Sequence, residues 1–115
     1  MTTKESYEKM GASYENVLGR LGSEKMVNMF AKKFLKDGSF ESLKEAIANK
    51  DAGEAFRAAH TLKGVCLNLG FDNLFTVSSD LTEKLRGGAF DGAEELFTKV
   101  AEQYKVTIAA ISEME

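Results

Sequence analysis

Apolar residues recur along this chain every three to four positions, the period of a helix with one buried face. The clearest stripe is Ala55, Ala58, Ala59, Leu62, Val65, Cys66 and Leu69, which a step of about 100° per residue gathers on one side of a helix over 53–69. Leu74, Val77, Ser78, Leu81 and Leu85 continue the period over 72–86, and Leu96, Phe97, Val100, Tyr104, Ile108 and Ile111 carry it over 91–113. Upstream, Met26, Val27, Met29, Phe30, Phe34 and Leu35 give 23–37 a broad apolar face, with Lys25, Lys32, Lys33 and Lys36 outside it. Three shorter stretches, 3–10, 13–22 and 40–49, are too short to be stable alone. They are expected to pack on the long helices.

With no proline in the chain, its ten glycines are the main punctuation. Ser13, Ser23, Ser39, Asp72 or Asn73, and Asp91 stand where a helix start wants a capping side chain, and Asp51 with Glu54 has the spacing of a capping-box-like start. Gly70 suits the left-handed position just past a helix end. The connections are short, so neighbouring long helices should run antiparallel. The expectation is an all-α protein: an antiparallel four-helix bundle of 23–37, 53–69, 72–86 and 91–113, with short additional N-terminal and connecting helices. Its 115 residues make one domain, 1–115, with the core bundle over about 23–113.

Composition narrows the function. A net charge of −3 gives no electrostatic reason to bind nucleic acid. The single cysteine cannot form an internal disulfide, and Cys66 on the buried stripe reads as a packed thiol in a reducing compartment. No segment approaches the roughly 20 apolar residues that span a bilayer, and the N-terminus has no hydrophobic run. A cytoplasmic monomer without a membrane partner is expected. One histidine and one cysteine are too few for a zinc site, so no metal is assigned.

The chemistry concentrates on the helix over 53–69. His60, the only histidine, points roughly 150° from the centre of the apolar stripe and so faces water. One turn on, Gly64 occupies the same outer face, although glycine inside a helix costs about 1 kcal/mol relative to alanine. Something other than helix stability favours it. Lys63 is the i+3 neighbour that can bring an ammonium to whatever the imidazole carries. Phe56 and Leu67 flank His60 on the same arc, and with Arg57 they make a candidate docking surface. A free imidazole is mostly neutral near pH 7, so its nitrogen can act as a nucleophile without unusual activation.

Ala59-His60, Leu62, Lys63, Gly64 and Gly70 stand in the order A-H-x-L-K-G-x-x-x-x-x-G, and in this the chain resembles histidine-containing phosphotransfer (HPt) domains. The resemblance extends from about Tyr14 to Ile111. It implies that His60 accepts a phosphoryl group, that Lys63 supports it electrostatically and that Gly64 clears space for a partner. It further implies that receiver domains of response regulators, or a hybrid histidine kinase, are the partners. The partner receiver would then supply the acidic pocket and Mg²⁺, so the chain is a carrier and not an enzyme, with no cofactor of its own. Val65-Cys66 replace the small or hydroxyl residues common after the glycine, and Thr82 stands where many members carry a glutamate. Two alternatives remain open: the phosphoacceptor domain of a chemotaxis-type histidine kinase, and a helical adaptor that uses the same face without accepting phosphate.

Overall fold

Seven α-helices follow one another in the computed structural model, which describes residues 1–115: α1 (Thr3–Lys9), α2 (Tyr14–Leu21), α3 (Glu24–Lys33), α4 (Ser39–Ala48), α5 (Ala52–Leu69), α6 (Asp72–Leu85) and α7 (Ala93–Ser112). A 3₁₀ turn, Phe34–Lys36, joins α3 to α4. The periodic stripes meet as expected. α5 buries Ala55, Ala58, Ala59, Leu62 and Cys66, α6 buries Leu74, Leu81 and Leu85, and α7 buries Val100, Ala110 and Ile111. Together they form the helical bundle that the pattern predicts.

The fourth side of that bundle differs from the expected single helix over 23–37. It is shared by two helices in series. Phe30, Lys33 and Phe34 lie beside Val65, Asn68 and Leu69 at the C-terminal half of α5, while Ser39 and Ser42 of α4 lie beside Arg57, Ala58 and Thr61 nearer its N-terminus. α4 takes the larger share of the packing, although its pattern suggested a connecting helix. The break falls at Asp37, whose backbone is extended (φ −71°, ψ 129°) and whose carboxylate accepts the Ser39 N–H at 2.8 Å. Phe40 then stacks on Phe97 and Tyr104, with ring centroids 5.6 and 3.9 Å away, which draws α4 onto α7.

Helix starts divide into local and tertiary cases. Ser23 and Asp51 cap as expected, accepting from the N–H groups of Met26 and Glu54. Ser13 does not: its hydroxyl donates to the Asp72 carboxylate, joining the entry of α2 to the first residue of α6. Ser39 and Asp72 are first helical residues rather than caps, and Gly92, not Asp91, occupies the cap position of α7.

The N-terminal helices close the end of the bundle where α5 stops. A helix leaves its last four carbonyls without intrahelical partners, and here all four are satisfied. The Cys66 carbonyl accepts from the Phe71 N–H at 3.0 Å, and Gly70 N–H and the Arg20 guanidinium both reach Leu67 O, at 3.3 and 3.1 Å. Arg20 also donates to Asn68 O at 3.0 Å, and the Tyr7 hydroxyl donates to Leu69 O at 2.8 Å. Gly70 itself is left-handed (φ 72°), and a Cβ there would lie 2.2 Å from Cγ2 of Val17. α2 packs into the space its missing side chain leaves.

Candidate functional site

The middle of α5 presents His60 to solvent between two buried neighbours, Ala59 and Leu62. The sequence forces this: the alanine stripe goes inside and leaves the opposite face in solvent, and the capped helix runs without a break from Ala52 to Leu69. Phe56, one turn back, lies against the imidazole with ring centroids 5.9 Å apart and planes at 43°. Arg86, the cap residue just past α6, covers Phe56 in turn, its Cζ 5.3 Å from the ring centroid. Phe56 is therefore half-buried under a guanidinium instead of standing free.

Arg86 is held by Glu83 through two bonds, Nε to Oε2 at 2.8 Å and Nη2 to Oε1 at 3.2 Å. Hydrogen bonding from Arg86 keeps the Glu83 carboxyl below the usual carboxylate range, and the charges of Lys63 and His60 lower it further. A carboxylate thus lies within electrostatic reach of both groups on α5. Neither Glu83 nor Arg86 was singled out from the sequence. Folding α6 back on α5 about Gly70-Phe71 brings residues 80–82, not 83, level with His60. Thr82, however, is buried, its hydroxyl donating to Ser78 O at 2.7 Å. The next residue is the one that faces the imidazole helix. The readable signal was Glu83 and Arg86 at i and i+3 on the polar side of α6.

Lys63 is half-buried along the same side of α5 and forms no ion pair. A Cβ added at Gly64 meets nothing within 4 Å. The surface beside His60 is open where the glycine stands. Leu67, two turns from the histidine, is 56% exposed. Arg57 is exposed but pairs with Glu54 and, with Thr61 of α5, lines the cleft toward Ser39 and Ser42 of α4. The fold therefore brings Phe56, His60, Lys63 and Gly64 together, keeps Leu67 on their flank and turns Arg57 to the neighbouring cleft. Cys66 is buried, and burial pushes its thiol well above the ordinary range, which keeps it protonated and inert. Nowhere do three or more His, Cys, Asp or Glu side chains gather as a metal would require, and no helix is long and apolar enough to cross a membrane.

The Hpt domain family model matches residues 26–113, from within α3 to the end of α7. The chain belongs to the Hpt family. Hpt domains carry phosphoryl groups on histidine in phosphorelays, working with receiver domains and kinases. This Hpt chain accordingly has a phosphotransfer role in two-component signalling. No match was found among curated proteins or among solved structures. α1 and α2, which satisfy the end of α5, lie outside the matched region.

Proposed function

We propose that this Hpt chain is a phosphorelay intermediate that takes a phosphoryl group from the aspartyl phosphate of one receiver domain onto His60 and passes it to an aspartate of a response regulator. One observation carries this reading. The only histidine of the chain stands exposed on a rigid helix beside a glycine whose missing side chain leaves open space. An approaching receiver can bring phosphorus to the ring nitrogen.

The unprotonated ring nitrogen attacks phosphorus, and the N–P bond forms as the P–O bond to the aspartate breaks. The carboxylate departs with the electron pair. The proton on the other ring nitrogen stays, so the product is a phosphoimidazolium, and its positive charge makes the ring a good leaving group when the next aspartate oxygen attacks. In this reading Glu83 favours that cationic ring, while Lys63 offsets the negative charge of the phosphoryl oxygens. Phe56 and Leu67 border the approach, with Arg57 on the far side toward α4. The receiver supplies the acidic pocket and Mg²⁺, and this chain works as a cytoplasmic monomer that carries the group without turning it over.

The test is direct. Incubated with a phosphorylated receiver and Mg²⁺, the protein should gain an acid-labile, alkali-stable adduct detectable by intact mass, and His60→Gln should gain none. A labelled His60→Gln protein would refute the assignment.

A further inference from the structure

Four lysines, Lys25, Lys32, Lys33 and Lys36, share one outward groove of ≈ 470 Å³ with Asn28 and Met29 on α3 and the turn after it. Lys25, Lys33 and Lys36 are in no ion pair, while Lys32 donates to a terminal carboxylate oxygen of Glu115 at 3.0 Å. The rest of the chain is markedly acidic, at 11 basic against 18 acidic residues. Positive charge is thus gathered on one face of a negative protein, and three of its four ammoniums are in no ion pair. Apolar surface lies within the same face: Met26 is 36% exposed, Met29 41% and Leu35 43%. Flexible thioethers among cations suit a protein surface that is acidic and partly apolar.

The lysine face is continuous with the surface around His60. Asn68 is two turns beyond His60 on the outer arc of α5, about 12 Å along the axis. Asn68 and Val65 line a second groove of ≈ 240 Å³ whose opposite wall is Phe30 and Lys33. Lys33 belongs to both grooves, its Nζ 5.0 Å from the centroid of the Phe30 ring. A standard protein interface takes about 800 Å² from each partner, a patch about 30 Å across. A partner seated over His60 therefore reaches Lys33, and Lys36 and Lys25 act on it through space within about a Debye length.

We propose that the outer face of α3 is an electrostatic docking surface for the receiver that meets His60, engaging a cluster of Asp and Glu beside the receiver's phosphorylation site. This rests on the phosphorelay reading above. A receiver that holds Mg²⁺ must present carboxylates around the reacting aspartate, so the acid it brings to His60 is complementary to the charge two turns away. The face selects among receivers and speeds their encounter. It takes no part in the bond exchange.

The experiment separates docking from chemistry. His60 is first phosphorylated with phosphoramidate, a small donor that needs no docking surface, and transfer to a receiver is then followed against receiver concentration and NaCl. Lys25→Glu/Lys33→Glu/Lys36→Glu should load from phosphoramidate at the native rate. Its second-order transfer to the receiver should fall by about tenfold or more at low salt, lose most of its salt dependence, and recover at saturating receiver. A charge-matched control on other faces, Lys44→Glu/Lys50→Glu/Lys99→Glu, should fall much less. Equal losses in the two triple variants would reduce the effect to net charge and overturn the proposal. So would native transfer at all salt concentrations in the α3 variant. Failure of the native protein to load at His60 would instead overturn the phosphorelay reading.

Discussion

The hydroxyl of Tyr7 donates a 2.8 Å hydrogen bond to the carbonyl oxygen of Leu69, tying the first helix to the last residue of the histidine helix. Tyr7 is fully buried, packed between the rings of Tyr14 and Phe71 with centroids 5.7 and 5.6 Å away. It can therefore give its proton only to that carbonyl. Desolvation pushes its phenol far above the ordinary value.

Tyr7→Phe should accordingly lower stability at pH 7 by about 1 kcal/mol, the net worth of one buried bond with its acceptor left unpaired. The pH dependence has a definite sign. In the unfolded chain a tyrosine ionises near pH 10, whereas the folded phenol stays protonated, so the folded state binds more protons there and stability falls as pH rises above about 10. Burial of Cys66 and of Tyr104 pushes their values the same way. Urea unfolding at pH 7, 9 and 11 should show a shallower alkaline loss for Tyr7→Phe than for the native protein. An unchanged loss would mean that Tyr7 is not the protonated group.

Gly70→Ala should cost more than about 1 kcal/mol, because a left-handed residue acquires a Cβ at a place where Cγ2 of Val17 already stands 2.2 Å away. Combining it with Val17→Ala should relieve the steric part and not the backbone part. The double variant, in a denaturant cycle with both singles, should thus be more stable than the sum of their losses predicts.

Gly64→Ala should behave in the opposite way. Its Cβ would meet open space, so the substitution should stabilise the domain by up to about 1 kcal/mol. Gly64→Gln should leave the fold standing and slow transfer severely by projecting over the approach to His60. Denaturant stability and transfer rate on the same preparations decide it: a destabilised Gly64→Ala would show that the helix is covered there, and the open face would have to be given up.

Glu83→Gln and Lys63→Ala should each slow transfer only modestly, because both are exposed charge contacts screened by solvent. Thermal melts should move little. If Glu83 acts on the ring and Lys63 on the phosphoryl oxygens, the two losses should add in the double variant. A double variant no slower than either single would show that the two do not act separately.

Much of the fold was legible because it is local. The stripe from Ala55 to Leu69, the cap at Asp51 and the left-handed stop at Gly70 each depend on residues within one or two turns, and all three stand as the spacing predicts. The outward position of His60 follows from the same stripe. Gly64 was legible for a related reason, since a glycine that weakens a helix without facing its core points to access. Ser13 misled because its nearest helix start was not its nearest acceptor. Asp72, 59 residues away in sequence, takes its hydroxyl.

The sequence by itself determined which segments become helices, which face each one buries and which single imidazole is left in water, because hydrophobic period and helix geometry act over a few residues. Only the tertiary structure decided what surrounds that imidazole. The azimuth of α6 about its own axis turns Thr82 inward and Glu83 toward α5, and an error of one residue, about 100°, exchanges one for the other. Likewise, whether α3 or α4 closes the fourth side depends on where the chain breaks at Asp37 and how Phe40 stacks on α7. Those choices are made by packing between helices, where a contact joins residues that no spacing along the chain relates.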